Sequence, residues 1–124
     1  MTEPKDTEFD LAALEAKAKE GDIEAQYEMS ARHAIGRDVE LDDDTAVEWL
    51  QKAAAAGHSL AQNNLGARYY SGDGVDQDLK QAYRCFFKAA NQGDRKAGKN
   101  LDSITRQLTE EDLEALRSEM GETN

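Results

Sequence analysis

The chain has 124 residues, with 26 acids against 15 bases, one cysteine, one proline and nine glycines. That length suits one domain with a real core, and the net charge of −11 argues against binding free nucleic acid or an anionic membrane surface. A charged fraction of 33% and a mean hydropathy of −0.83 leave no stretch fit to span a bilayer, and a single cysteine allows no internal disulfide.

Met1 to Asp10 carries four acids and no apolar run, which argues against a secretory leader and for a cytoplasmic protein, with a flexible start over 1–8. Phe9 to Glu20, with Leu11, Leu14 and Ala18, reads as a lone helix that ends at Gly21. From there the chain repeats itself with a period of 36. Gly21, Gly57 and Gly93 align, as do Ala25, Ala61 and Ala97, and Met29, Leu65 and Leu101. Gln26 matches Gln62, Gly36 matches Gly72, Val39 matches Val75, Asp42 matches Asp78, and Lys52-Ala53-Ala54 recurs as Lys88-Ala89-Ala90.

Each unit reads as two helices. The A helix of the second unit carries Ala61, Leu65 and Tyr69 in one stripe and stops at Ser71-Gly72-Asp73-Gly74. Asp78, with Gln81 three residues on, opens a B helix whose stripe is Ala82, Phe86, Ala89 and Ala90. Gly93 closes it. The first unit follows the same plan through Met29, Gly36, Ala46, Trp49, Leu50, Ala53 and Gly57. Its second loop glycine is replaced by Asp38, a residue that tolerates the left-handed region better than most. Ala97 to Leu108 reads as a lone A helix. Thr109 then caps a last helix with Leu113, Leu116 and Met120, whose acidic flank suits an end cap.

The predicted fold is all-α, a short right-handed α/α solenoid of about seven helices, with two full 36-residue repeats and flanking half-repeats. The repeat domain would run over 9–108, with full repeats at about 25–60 and 61–96. A capping helix over 109–120 and a frayed tail over 121–124 would follow.

Ala61, Leu65-Gly66, Tyr69, Gly72-Asp73-Gly74-Val75, Asp78, Ala82, Phe86, Lys88-Ala89-Ala90 and Gly93 resemble the Sel-one-like repeat, a relative of the tetratricopeptide repeat. The first unit departs from that pattern, with Met29-Ser30 for Leu-Gly and His33 for the tyrosine. The resemblance implies an adaptor that holds protein partners in complexes without chemistry of its own. The chain lacks the cysteine pairs that staple each repeat in some members of the family, which removes the secreted, disulfide-rich subgroup.

The residues themselves argue against an enzyme. His33 and His58 lie in no metal-ligand spacing, and Cys85 falls in a B-helix stripe as a packed small hydrophobe. The aspartates at 38–44 and 73–78 lack the glycine and glutamate positions of a calcium loop. Gly72-Asp73-Gly74 is not followed by the Lys-Ser/Thr of a phosphate loop. No cofactor, metal or small-molecule substrate is expected.

A partner would instead meet the face of the A helices opposite their core stripe. There Tyr27, Ala31 and Ala34 are followed by Asn63, Asn64, Ala67 and Tyr70, and then by the basic Lys96, Lys99 and Arg106. This basic end lies within 61–108, the one net-positive segment of the chain, so a partner could set an anion between Lys99 and Arg106. Residues 1–60 carry 15 acids against 6 bases, which supports an alternative: a small immunity or inhibitor protein that neutralises a basic partner.

Overall fold

The computed structural model describes residues 9–121; the expected flexible N-terminus and the last three residues of the expected frayed tail lie outside them. Seven helices and no strand occur among the described residues: α1 Leu11–Lys19, α2 Ile23–Ile35, α3 Asp43–Ala55, α4 Ser59–Ser71, α5 Leu79–Asn91, α6 Arg95–Thr105 and α7 Glu110–Glu119. Each of α1 to α6 packs against its neighbour in sequence, and α7 comes back onto α5. The A helices are α2, α4 and α6; the B helices are α1, α3 and α5. None is long and apolar enough to cross a membrane.

The helix boundaries have repeated chemical causes. Asp22, His58 and Asp94 stand one period apart as N-caps, accepting from the amides of Ala25, Ala61 and Ala97 at 2.9, 3.1 and 3.0 Å. Asp42 and Asp78 cap α3 and α5 in the same way. Asp42 is held below the usual carboxylate range because the backbone amide and then the hydroxyl of Thr45 both donate to it. The turns after α3 and α5 place Gly57 and Gly93 at φ 102° and 94°, as the period predicts. Asp38 takes φ 64° where the second unit has Gly74 at 77°. The outer helices are shorter than their apolar stripes suggest. The α1 helix begins at Leu11, because Asp10 caps it, and α6 stops at Thr105, because the chain must turn before the Thr109 cap.

The core is a row of small clusters, one per layer. Ala18, Ala25, Met29 and Trp49 form the first, with Leu11 and Leu14 against them. Leu50, Ala53, Ala54, Ala61 and Leu65 form the second. Tyr83, Phe86, Phe87, Ile104, Leu113 and Leu116 build the third and largest, where α7 covers the last apolar face. Tyr69 packs against both the second and third clusters and so links the layers. Buried alanines at the contacts let helices approach closely, so a chain with 6% aromatic residues still builds a core.

Polar side chains tie the layers as well. Gln26 and Gln62 are buried and donate to the carbonyls of Ala18 and Ala54, each at 3.1 Å, joining the start of an A helix to the end of the preceding B helix. Arg84 makes a two-toothed pair with Glu119 through Nε and Nη2, the latter at 2.9 Å, and so clamps α7 to α5. This pair holds Glu119 below the ordinary carboxylate range and raises Arg84 above its own.

Candidate partner-binding face

The A helices, with the turn that follows α6, meet along a seam of hydrogen bonds at a spacing of 37 residues. Asn64 Nδ2 donates to Tyr27 Oη at 3.0 Å, Asn100 Nδ2 donates to Asn63 Oδ1 at 2.9 Å, and Gln107 Nε2 donates to Tyr70 Oη at 3.0 Å. The spacing exceeds the period by one because each side chain reaches the next helix at a slightly advanced position. These rungs hold neighbouring A helices in register with one another.

Between α2 and α4 the seam opens into a cleft of about 270 Å³, lined by Tyr27, Ser30, Ala31, Ala34, Leu50, Asn64, Ala67 and Arg68. Five of the residues named from the sequence, Tyr27, Ala31, Ala34, Asn64 and Ala67, come together here. The alanines make it roomy, since any larger side chain at these positions would fill it. Tyr27 is held on two sides: its ring stacks on His58 at 4.4 Å, and its hydroxyl accepts from Asn64. Such a tyrosine presents its surface with little rotamer entropy left to lose on binding.

Asn63 requires a correction. Its position in the helix suggests an open side chain, but it is buried between α4 and α6 and bonded to Asn100. The neighbouring A helix covers that position. Tyr70 is exposed, as are Lys96, Lys99 and Arg106. Lys99 and Arg106 stand two turns apart, ~10 Å of helix rise, so they would meet two separate anionic groups more readily than grip one.

Three cleft residues, Ser30, Leu50 and Arg68, escaped the sequence reading. Ser30 occupies the place of Gly66 and turns its hydroxyl to the Ala46 carbonyl at 2.8 Å. Arg68 makes two bonds of 3.0 Å to Asp43 and one of 3.3 Å to the Asp73 carbonyl. Its charge is thereby engaged within the protein. The periodicity marks Arg68, through its match to Arg32, but gives no hint of its long reach.

The other reactive groups have structural tasks. His58 Nδ1 accepts the Ala61 amide while Nε2 meets the Glu24 carboxylate at 3.0 Å, so the ring caps α4 and ties it to α2. Cys85 is half-buried against the second cluster, and burial pushes its thiol up to about 11. No group of three or more potential metal ligands occurs among the described residues.

A sequence model of the Sel1 repeat matches residues 23–58 and 59–94, more than half of the chain. Among solved structures, the chain is similar to a Sel1 repeat protein from Oxalobacter formigenes, with 28% identity over 93% of this chain and 99% of that one and a TM-score of 0.71. It is similar also to c5321, described as a protective antigen present in uropathogenic Escherichia coli strains and displaying an SLR fold. There the identity is 35%, the TM-score is 0.75, and the match covers 81% of this chain but 21% of that one. No curated protein matches the sequence. The repeat spacing, the helix pairs and these matches agree: the chain belongs to the Sel1-repeat family, whose helical repeats in general mediate protein–protein interaction.

Proposed function

We propose that this protein is a non-enzymatic adaptor of the cytoplasm, and that it binds a protein or peptide segment along its A-helix face, the concave side of such a solenoid. The observation that carries this reading is the cleft between α2 and α4, walled by small side chains and edged by a tyrosine already fixed in place. A partner's apolar side chain would enter between Ala31 and Ala67 and pack on Tyr27. Exposed Tyr70 would extend the contact towards α6, where Lys96, Lys99 and Arg106 offer cations to acidic groups further along the same segment.

The reading is tested by recovering partners from the native cell with this protein as bait, then titrating the recovered partner. Ala31→Arg with Ala67→Arg should fill the cleft without replacing a core residue, because both positions are exposed. At least tenfold weaker binding is expected. Lys99→Ala with Arg106→Ala should weaken binding more at low salt than at moderate salt. Unchanged affinity in the cleft variant would overturn the assignment of the face.

A further inference from the structure

The two repeats differ sharply at one edge of the solenoid, the loop that leaves each A helix. Ile35 and Leu41 are the most exposed large apolar side chains of the described residues, at 68% and 65%. One period on, the same positions hold Ser71 and Gln77. The backbone is alike in both loops. A Cβ on Gly36 would meet Leu41 Cβ at 3.1 Å, and one on Gly72 would meet Gln77 Cβ at 3.3 Å. The Asp42 amide bonds the His33 carbonyl at 3.0 Å, and the Asp78 amide bonds the Tyr69 carbonyl at 2.8 Å. In the first loop, His33 Nδ1 also meets the Glu40 carbonyl at 3.0 Å. Leu41 is therefore held in the open by a pinned loop, at a position where the sister repeat shows that a polar residue serves the fold equally well. Gln77 even gains a bond there, donating to the Tyr70 carbonyl at 2.9 Å.

The surround supplies the charge. From Asp38 to Gln51 there are six acids and no base. Arg32 takes up Asp38 and Arg68 takes up Asp43, whereas Glu40, Asp44 and Glu48 pair with no cation among the described residues. The second repeat places Lys80 at the counterpart of Asp44. Exposed apolar side chains on an edge rich in uncompensated acids, with Arg37 the one base between Ile35 and Leu41, complement a segment with apolar residues flanked by lysine or arginine.

We propose that the α2–α3 loop edge, centred on Ile35 and Leu41, is a docking surface for a basic, amphipathic protein segment. It is separate from the A-helix cleft and does not rest on it. Ile35 and Leu41 supply the buried contact, and Glu40, Asp44 and Glu48 select a cationic partner and repel an acidic one.

The test uses the full chain and two synthetic helical peptides, one of leucine and lysine and one of leucine and glutamate. The wild type should bind the lysine peptide and not the glutamate peptide. Ile35→Ser with Leu41→Gln installs the sister repeat's residues and keeps every charge; binding should fall at least tenfold while thermal unfolding stays within a few degrees. Glu40→Lys with Asp44→Lys keeps the apolar pair and should reduce binding by a similar factor. The Ala31→Arg, Ala67→Arg variant should bind the peptide as the wild type does. If the Ser/Gln variant binds undiminished, attraction is by charge alone and the proposal fails. Sedimentation showing a wild-type dimer that this variant abolishes would assign the edge to a second copy of the chain and overturn it too.

Discussion

Gly66 lies so close beneath Phe86 that a Cβ on it would stand 2.6 Å from ring atom Cε1 and 3.1 Å from the Cβ of Cys85. This contact sets the approach of α4 to α5 and explains the small residue after Leu65. In the first unit Ser30 faces Leu50, so a smaller aliphatic side chain in place of the ring leaves room for a hydroxymethyl group.

The same chemical change should therefore have opposite effects at two helical glycines. Gly66→Ala should destabilise the fold by about 1 kcal/mol or more, because overpacking against a buried ring outweighs the gain in helix propensity. Gly98→Ala in α6 meets nothing within 4 Å and should stabilise by about 0.5–1 kcal/mol. Urea unfolding of both variants reads the two signs, and a stabilising Gly66→Ala would refute the contact.

Gln26 and Gln62 differ in one atom's fate. Gln92 donates to Gln62 Oε1 at 2.9 Å and to the Gly57 carbonyl at 3.0 Å, whereas Gln26 Oε1 is buried with no partner among the described residues. The counterpart of Gln92 one period earlier is Ala56, which is exposed. Ala56→Gln should supply the missing donor and stabilise by about 0.5–1.5 kcal/mol. Adding Gln26→Leu to that variant should erase the gain, a coupling that a double-mutant cycle measures directly.

Cys85, half-buried, should react slowly in the native protein. With its ionisation pushed up to about 11, little thiolate exists at pH 8, so alkylation by iodoacetamide should be slow in the native protein and fast in urea. A raised value also means that the protonated form is favoured by folding. Its contribution is complete below the unfolded value near 9 and is lost as pH rises through about 11. Cys85→Ala should lack this component of the alkaline loss. Native labelling as rapid as unfolded labelling would place the thiol at the surface.

The α7 clamp should be sensitive to acid. Glu119 is lowered by its bonds to Arg84, so its contribution is present above the unfolded carboxylate value and disappears as pH falls through the lower folded one. Glu119→Gln should remove that dependence. The protection factors of the α7 amides, the intrinsic exchange rate at each pH over the observed one, should fall in the wild type from pH 6 to pH 3 and be lowered throughout in the variant.

Much of the architecture is legible along the chain. The period of 36, the capping aspartates and the glycines at 57 and 93 are local signals, because capping and backbone sterics act within a few residues. Asp38 as a stand-in for a left-handed glycine belongs with them. So do Tyr27, Ala31, Ala34, Asn64 and Ala67, since one face of a helix follows from its 3.6-residue turn.

Other features depend on residues about one repeat away. Asn63 is buried because α6 brings Asn100 to it, and Arg68 is engaged because α3 presents Asp43 within reach. The unpartnered oxygen of Gln26 exists only because the residue that would answer it, thirty positions on, is an alanine. The sequence by itself determined the repeat, its turns and the direction in which each helix faces, through interactions that close within a single turn or cap. The tertiary structure alone decided which outward-facing residues stay open, because that depends on the next repeat's helix and the hydrogen bonds it brings.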